Sequence, residues 1–219
     1  MVEGARTSEN RFDAGWGKRF HAWMLSKGNA KYERVVARHK QRLLGSIEGD
    51  VLEIGPGGGV NLAHFAPSVR WSGVEPNPFM HAYLRKKALS LGREVDLRLG
   101  RAEELEFPSQ SFDAVVTTLV LCSVADQVRV LGEIKRILRP GGKYIFIEHV
   151  VAREGTFTRR AQRWIRPLWR VIGDGCSPER ATWRAIEAAG FADVEIEHFR
   201  VPFPIVGPHI AGSAIKVGS

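Results

Sequence analysis

A glycine-rich loop is the first stretch of this sequence whose residue types could do chemistry. In VLEIGPGGGVNLAHF, residues 51–65, glycine occupies positions 55, 57, 58 and 59, between a short apolar run and a helical pattern. Because glycine has no Cβ atom, its backbone amide can approach a ligand closely. This density of glycines predicts that a bound molecule lies against the loop.

Two glutamates indicate what kind of molecule that is. Glu53 precedes the glycines in the pattern E-x-G-x-G-x-G, and Glu75 follows Gly55 by 20 residues, where a carboxylate commonly holds a ribose diol. A dinucleotide-binding loop would need glycine at the position of Val60, and an acidic residue before the loop suits an ammonium group better than a pyrophosphate. The two glutamates therefore predict a nucleoside with a cationic tail, which is S-adenosylmethionine.

The remainder of the chain alternates between strand and helix patterns. We predict strands in GDVLEIG at 49–55, ending at 75, at 94–99, from 113, ending near 149 after a turn in LRPGG, at 192–199 and at 210–217. Helices are predicted at 31–45, 60–66, 78–91, 125–138 and 179–189. This alternation indicates an α/β fold with a Rossmann-like, doubly wound sheet of seven mostly parallel strands. The last two strands are joined only by VPFPIVGP, which is too short for a parallel crossover, so the last strand should be antiparallel.

Length and composition indicate one globular domain. The chain has 219 residues, of which 44% are hydrophobic and 26% are charged, and it has two cysteines. We divide it into N-terminal basic amphipathic helices at 1–45, a cofactor-binding core at 50–150, an amphipathic helical lid at 155–175, and a C-terminal helix and strand pair at 179–217. With no signal-peptide pattern and no apolar run near the ~20 residues of a membrane span, we expect a cytoplasmic protein that is neither secreted nor transmembrane.

Several motifs resemble those of a known enzyme class. VLEIGPGGG, GVEPNP, SFDAVV and ILRPGGKYIFIEH resemble, in order and spacing, the class I S-adenosylmethionine-dependent methyltransferases. EPNP, TLVLCSV, EHV, DGC and PHIAG are similar to strings in the membrane-associated alkyl thiol S-methyltransferases of the methyltransferase-like family. The resemblance implies methyl transfer to small alkyl thiols, including hydrogen sulfide, and attachment to endoplasmic reticulum or lipid droplets in those relatives. They begin with an apolar anchor, whereas residues 11–27 here have a basic, aromatic amphipathic pattern.

The resemblance and the predicted strand ends together assign the cofactor contacts. The predicted cofactor-binding residues are Glu53, Gly55, Gly57, Gly59, Glu75, Pro76, Asn77, Arg101, Ala102, Glu103, Thr118 and Leu119. Arg101 stands where many class I enzymes have the aspartate that meets the adenine amino group, so we expect adenine to contact the backbone of Ala102 and Glu103. Thr118 and Leu119 end the fourth strand, over which the reactive methyl group should lie, and the product is S-adenosylhomocysteine.

Three residues are candidates for a base that activates the acceptor. His149 ends the fifth predicted strand, Asp174 follows in GDGC, and His209 begins the last strand, which starts at the same sheet edge if it is antiparallel. A histidine near its ordinary pKa of about 6.5 suits general-base catalysis at neutral pH, and we expect Asp174 and one of the two histidines to act. Cys122 and Cys176 are interpreted as packed thiols. No metal site is expected, since the sequence has no cysteine pair at ligand spacing.

The net charge of +8 is concentrated in amphipathic segments. Residues 157–172 place aromatic and aliphatic side chains on one helical face and arginines on the remainder. This segment has two possible interpretations. It is either a helix that lies on an anionic membrane surface or a lid that packs on the N-terminal helices. Nucleic acid is not an expected partner, because the aromatic side chains are not displayed as a stacking platform.

We therefore expect a methyltransferase that transfers a methyl group from S-adenosylmethionine to a small apolar acceptor, with an alkyl thiol as the first candidate. A lipid or quinone methyltransferase that modifies nitrogen, carbon or oxygen is the enzymatic alternative. A non-catalytic membrane-surface protein that retains the cofactor fold is the second alternative. The number of subunits is not predicted.

Overall fold

A seven-stranded sheet forms the centre of the protein. The computed structural model describes residue 15 and residues 18–19, 30–172 and 175–218. The sheet has the order β3-β2-β1-β4-β5-β7-β6. Its strands are β1 (Asp50–Ile54), β2 (Arg70–Glu75), β3 (Asp96–Leu99), β4 (Phe112–Thr118), β5 (Leu138–His149), β6 (Ala192–Arg200) and β7 (Pro208–Ile215). β7 is antiparallel to β5 and β6 and the other neighbouring pairs are parallel, so the predicted α/β fold is confirmed.

Helices connect the strands as the sequence pattern predicts. Those in the described part of the chain are α1 (Ala30–Leu44), α2 (Pro78–Ser90), α3 (Gln127–Ile137), α4 (Phe157–Ile172), α5 (Thr182–Ala188) and a single 3₁₀ turn, Val60–Ala63. The helical stripe predicted at 11–27 falls almost entirely outside the described residues.

Two predicted elements differ from the observed ones in extent. The helix predicted at 60–66 is only the 3₁₀ turn, which follows Gly59 in the left-handed conformation and closes with a hydrogen bond from the His64 amide to the Asn61 carbonyl. The turn predicted in LRPGG belongs to β5, where the pairing register with β4 shifts between the pairs Phe112–Leu138 and Ala114–Lys143. The extra residues of β5 form a bulge, which the glycines and the proline of this stretch accommodate.

Buried apolar side chains cover both faces of the sheet. Neighbouring residues alternate between the two faces, so that Leu52, Val115 and Phe146 belong to one core cluster, whereas Val51, Val116 and Ile145 belong to the other. All six side chains are at most 1% exposed. Burial on both faces is what a doubly wound parallel sheet requires of its central strands.

The strand directions bring several chain segments to one edge of the sheet. β1, β2, β4 and β5 are parallel, so their carboxyl ends lie at the same edge, which is where ligands bind in open α/β sheets. Because β7 is antiparallel, it begins at this edge, and its His209 pairs directly with His149 at the end of β5. The predicted convergence of the two histidines is confirmed.

The basic amphipathic helix α4 is fixed to this edge by one buried side chain. Gln162 accepts a hydrogen bond from the Ala152 amide at 2.8 Å and donates one to the Ile205 carbonyl at 2.9 Å. Phe157 and Trp164 on the same helix are 78% and 84% exposed. The core therefore does not cover the part of the predicted apolar face that these two side chains form. In the described part of the chain, no helix has both the length and the apolar character needed to cross a membrane.

A glycine in β7 gives a stability prediction. Gly212 lies between β5 and β6, and a Cβ atom there would lie 1.9 Å from the Glu195 carbonyl oxygen and 2.9 Å from Phe146 Cζ. We expect Gly212→Ala to force the strands apart and lower the free energy of unfolding by at least about 1–3 kcal/mol, measured by chemical denaturation.

A second glycine supplies the control. Gly132 lies within α3, and a Cβ atom added there would have no neighbour within 4 Å. Gly132→Ala should stabilise the protein by about 0.5–1 kcal/mol, because alanine restricts the unfolded chain and favours helix. Equal effects of the two substitutions would contradict the packing described for β7.

Candidate active site

The glycine-rich loop follows β1 and adopts a conformation that favours glycine. Gly55, Gly57 and Gly59 have φ values of +63°, +54° and +77°, in the left-handed region. A Cβ atom on Gly55 would also lie 2.7 Å from Val120 Cγ2 in the turn after β4, whereas one on Gly58 would have no neighbour within 4 Å. The loop therefore packs tightly on its inner side and is open on the side where a ligand could lie.

Glu53 lies beneath this loop and is fully engaged by hydrogen-bond donors. Its Oε1 accepts a hydrogen bond from Asn61 Nδ2 at 2.7 Å, and its Oε2 accepts one from Trp71 Nε1 at 3.1 Å. Burial raises the pKa of Glu53 to about 7, against the lowering effect of these two hydrogen bonds and of the Lys40 charge. The carboxyl group can therefore change its protonation state near neutral pH.

Asn61 is a site residue that the sequence analysis missed. Besides its bond to Glu53, Nδ2 donates to Thr118 Oγ1 at 3.0 Å, so Asn61 joins the ends of β1 and β4. Its Oδ1 is buried and has no hydrogen-bond partner among the described residues. A buried oxygen without a donor is an acceptor that a ligand ammonium group could use. The only signal in the sequence is a polar residue directly after Val60.

Glu75 connects the glycine-rich loop to the end of β2. Its Oε2 accepts a hydrogen bond from the Gly57 amide at 3.0 Å, and its Oε1 accepts one from the Asn77 amide at 2.9 Å. Asn77 caps α2 by accepting a hydrogen bond from the Phe79 amide, and its Nδ2 donates to the Lys18 carbonyl at 3.0 Å. Pro76, between them, is exposed. The structure thus brings the predicted ribose-binding residue next to the loop.

The residues predicted to contact adenine lie in the turn after β3. Arg101 pairs with Glu103 at 3.7 Å, and Glu103 Oε1 accepts a hydrogen bond from the Ala125 amide at 2.8 Å. Ala102 is 7% exposed. Glu103 thus has an ionic partner and a backbone partner within the protein, and its contact with adenine stays a prediction.

The chain makes a strained turn after β4. Leu119 has a φ of +58°, which is uncommon for a residue other than glycine, and its amide donates to the Ile147 carbonyl at 2.9 Å. The following turn is held by Glu148, whose Oε1 accepts hydrogen bonds from the Val120 and Leu121 amides at 3.1 and 3.2 Å. Backbone strain of this kind costs about 1–3 kcal/mol and is often found at functional sites.

Glu148 is a second residue that the sequence analysis did not single out. The side chain is fully buried, and its Oε2 has no hydrogen-bond partner among the described residues. Burial raises the pKa of this carboxyl group to about 7, although the hydrogen bonds from the turn lower it. The sequence shows it only as the first residue of EHV.

The three predicted bases have different outcomes. Asp174 lies outside the described residues. His149 and His209 are buried, with their ring centroids 6.2 Å apart. The expectation of an ordinary histidine pKa is wrong for His209, because burial lowers its pKa to about 4, although its hydrogen bond with the Gly207 carbonyl opposes this shift. At neutral pH, His209 is an uncharged residue packed against aromatic rings.

The two cysteines lie beside His149. His149 Nε2 is 2.8 Å from Cys176 Sγ, and one ligand atom from each of Cys122, His149 and Cys176 lies within 4.8 Å of the others. The neighbouring Cys176 thiol and burial raise the pKa of Cys122. Both cysteines are buried, as their interpretation as packed thiols requires. Their proximity was not predicted, because they are 54 residues apart in the sequence.

The chain is similar to known methyltransferases. Residues 52–146 match the family model described as a methyltransferase domain. The human thiol S-methyltransferase TMT1A is 32% identical over 213 residues, covering 91% of this chain and 87% of the relative. The human thiol S-methyltransferase TMT1B is 35% identical over 217 residues with the same coverage.

A solved structure supports the fold. A SAM-dependent methyltransferase from Aquifex aeolicus superposes with a TM-score of 0.60 at 14% identity, covering 91% of this chain and 98% of the other. A nucleoside with a cationic tail fits the open side of the glycine-rich loop, Glu75, and the Asn61 oxygen that has no partner among the described residues. From the extent of the sequence matches, this chain belongs to the family of S-adenosylmethionine-dependent methyltransferases that includes the thiol S-methyltransferases TMT1A and TMT1B.

Proposed function

We propose that this methyltransferase transfers the methyl group of S-adenosylmethionine to the sulfur of a small alkyl thiol. The observation that carries the proposal is the similarity to thiol S-methyltransferases over 91% of the chain, which includes the segments on both sides of the cofactor-binding core. The buried sulfur and imidazole groups at the carboxyl edge of the sheet support it, because they offer a sulfur acceptor a polar contact in an apolar surrounding.

Residues around the loop are proposed to bind the methyl donor, which supplies an electrophilic methyl group on a sulfonium sulfur. Glu75 accepts hydrogen bonds from the ribose hydroxyls. The loop amides contact the amino-acid tail, and the ammonium group lies near Glu53 and Asn61 Oδ1. The other proposed contacts are those predicted from sequence, namely Gly55, Gly57, Gly59, Pro76, Asn77, Arg101, Ala102, Glu103, Thr118 and Leu119.

The acceptor is proposed to lie beyond the end of β4. Alignment of the acceptor sulfur with the methyl group, and exclusion of water, supply most of the rate acceleration in such a displacement. Asp174, His149 and His209 stay candidates for the group that removes the thiol proton. Of the two histidines, His149 is favoured, since it contacts a sulfur atom, whereas burial lowers the pKa of His209 to about 4 and makes it a weaker base.

The acceptor class can be tested by offering candidate acceptors one at a time. The full chain is incubated with S-adenosylmethionine and, separately, with a small alkyl thiol, phosphatidylethanolamine vesicles and a quinol, and the products are identified by mass. We expect methyl thioether and S-adenosylhomocysteine only with the thiol. Methylation of the lipid or the quinol alone would support the enzymatic alternative, and no product with any acceptor would support a non-catalytic protein.

A pair of glutamate variants tests the proposed cofactor site by the affinity for S-adenosylhomocysteine. Glu75→Ala removes two hydrogen-bond acceptors for the ribose and should weaken binding of S-adenosylhomocysteine about tenfold or more. Glu195→Ala, at an exposed position of β6, should leave binding unchanged. Isothermal titration calorimetry measures both, and equal affinities would remove Glu75 from the site.

Glu53 gives the binding reaction a pH dependence. Its pKa is about 7 in the ligand-free protein, and its surroundings include Lys40 and Glu75 as charged groups and Asn61 and Trp71 as donors. A cationic ligand tail favours the carboxylate, so binding below pH 7 must release a proton. Affinity for S-adenosylhomocysteine should fall as the pH decreases from 7 to 5.5, by at most about tenfold per pH unit. Calorimetry on Glu53→Gln should show a flatter profile, and an unchanged profile would contradict the assignment.

An anionic membrane surface is a second proposed partner, which would make this a cytoplasmic, peripheral protein. Phe157 and Trp164 are seven residues apart on α4, so they share a face, and Arg160 and Arg163 are exposed on the same helix. This combination of exposed aromatic and basic side chains is typical of interfacial helices.

Vesicle sedimentation tests the membrane proposal. Replacing Phe157 and Trp164 with serine should weaken binding to phosphatidylserine-containing vesicles by about tenfold or more, since both side chains would otherwise bury apolar area. Leu89→Ser on α2, where the side chain is 81% exposed, is the matched control and should change nothing. Equal binding by both variants and the original chain would show that α4 does not contact the membrane.

A further inference from the structure

Two cysteines and a histidine that are far apart in the sequence form a buried cluster at the carboxyl edge of the sheet. We call Cys122, His149 and Cys176 the Cys₂His cluster. Their exposed fractions are 2%, 4% and 8%. One ligand atom from each lies within 4.8 Å of the other two, and the closest pair, His149 Nε2 and Cys176 Sγ, is 2.8 Å apart. Among the described residues no carboxylate belongs to this cluster, so the donor atoms found there are sulfur and imidazole nitrogen.

Hydrogen bonds to backbone carbonyls hold the three segments together without using the side chains of the cluster. The Ser177 amide donates to the Cys122 carbonyl at 2.9 Å, which fixes the segment of Cys176 against the turn after β4. The guanidinium of Arg180 donates to the Leu121 carbonyl at 2.7 Å, and the Val151 amide, two residues after His149, donates to the Arg180 carbonyl. The backbone therefore positions the side chains before any ligand binds, as a specific site requires.

Hydrogen bonds within the protein leave this cluster incompletely satisfied. His149 Nδ1 is buried and has no partner among the described residues. Cys122 Sγ contacts the Leu119 carbonyl at 3.4 Å and Ser123 Oγ at 3.5 Å, and its thiol also interacts with the Cys176 thiol. Buried polar groups usually have partners, and a bound ion is one of the groups that can supply a missing partner.

We propose that the Cys₂His cluster binds one zinc ion through Cys122, His149 and Cys176. Zinc prefers thiolate and imidazole ligands, whereas calcium and magnesium require oxygen. Zn–S bonds of about 2.3 Å and Zn–N bonds of about 2.0 Å hold tetrahedral ligand atoms about 3.5–3.8 Å apart. The observed ligand atoms all lie within 4.8 Å of one another, so this spacing is compatible with the cluster. Zinc binding would lengthen the distance between His149 Nε2 and Cys176 Sγ, which is 2.8 Å in the structure.

The three ligands found among the described residues leave the fourth position of a tetrahedral zinc ion open. Structural zinc sites have four protein ligands, whereas catalytic sites have three and hold water or substrate in the fourth position. The inference that the acceptor sulfur occupies this position rests on the proposed function. A zinc ion lowers the pKa of a bound thiol so far that the thiol loses its proton. The site would therefore supply a thiolate in a place where burial alone would keep the thiol protonated.

The open position would lie next to the predicted methyl group. Cys122 Sγ is 3.4 Å from the carbonyl of Leu119, which is a proposed cofactor contact. With zinc bound, His149 is a metal ligand and not the base, and the S–H bond of the acceptor breaks with transfer of its proton to water. The thiolate sulfur then forms a bond with the methyl carbon while the bond from that carbon to the sulfonium sulfur breaks, and the electron pair stays on S-adenosylhomocysteine. The products are a methyl thioether, S-adenosylhomocysteine and one proton.

Metal content tests the site without reference to catalysis. The full chain, purified with a phosphine reductant and without chelators or thiols, is dialysed against zinc and then against metal-free buffer, and its metal is measured by plasma mass spectrometry. We expect about one zinc ion per chain and a loss of zinc in Cys122→Ser, Cys176→Ser and His149→Ala. His198→Gln, at the end of β6 and outside the cluster, is the matched control and should keep its zinc.

X-ray absorption at the zinc edge tests the ligand set in the unmodified chain, so that it does not depend on the folding of any variant. The expected first shell has two sulfur atoms, one imidazole nitrogen and one light atom, and addition of a small alkyl thiol should change it to three sulfur atoms and one nitrogen. A shell without two sulfur atoms would overturn the site. A shell that the thiol leaves unchanged would overturn the open position.

The zinc proposal and the proposed function can fail separately. Thiol methylation by a chain that binds no zinc, and that is unaffected by chelators, would overturn the zinc site and leave the function standing. Stoichiometric zinc, lost in the cluster variants but without methylation of any thiol, would support the site and reject the function. A mass decrease of two hydrogens that locates a Cys122–Cys176 disulfide in the active chain would also overturn the zinc site.

Discussion

The buried carboxyl group of Glu53 connects three neighbouring strands. It lies on β1, receives hydrogen bonds from Trp71 on β2 and from Asn61, and through Asn61 it is linked to Thr118 on β4. Burying a carboxyl group is costly, and the cost is offset here by hydrogen bonds to both oxygens and by the Lys40 charge. The glycine-rich loop begins two residues later, so its conformation depends on this connection.

The same edge of the sheet gathers the groups proposed to bind the donor and the acceptor. On one side, Glu75 fixes the loop through the Gly57 amide. On the other side, the strained turn at Leu119 leads to Cys122, which lies beside His149 and Cys176. The parallel strands determine this arrangement, because each contributes its carboxyl end to one edge. The antiparallel β7 adds His209, which packs against aromatic rings and is a weak base because burial lowers its pKa to about 4.

Sequence alone was sufficient for the sheet, its direction changes and the cofactor loop, because these depend on local signals. Hydrophobic periodicity, the glycine spacing and the short VPFPIVGP connection are all visible within a few residues. The Cys₂His cluster was not predictable in this way, because each member is 27 residues from the next along the chain and they meet only after the strands have paired. Asn61, Glu148 and the pKa of His209 were missed for the same reason, since burial and hydrogen bonding depend on distant segments.

The central claim is that the loop, Glu75 and the turn after β4 hold the methyl donor so that its sulfur faces the Cys₂His cluster. A crystal structure of the full chain with S-adenosylhomocysteine tests this most directly. We expect the ribose diol on Glu75, the ammonium group near Asn61 Oδ1, and the thioether sulfur against Leu119 on the side of Cys122. A ligand bound with its sulfur turned away from that turn, or bound outside the loop, would contradict it.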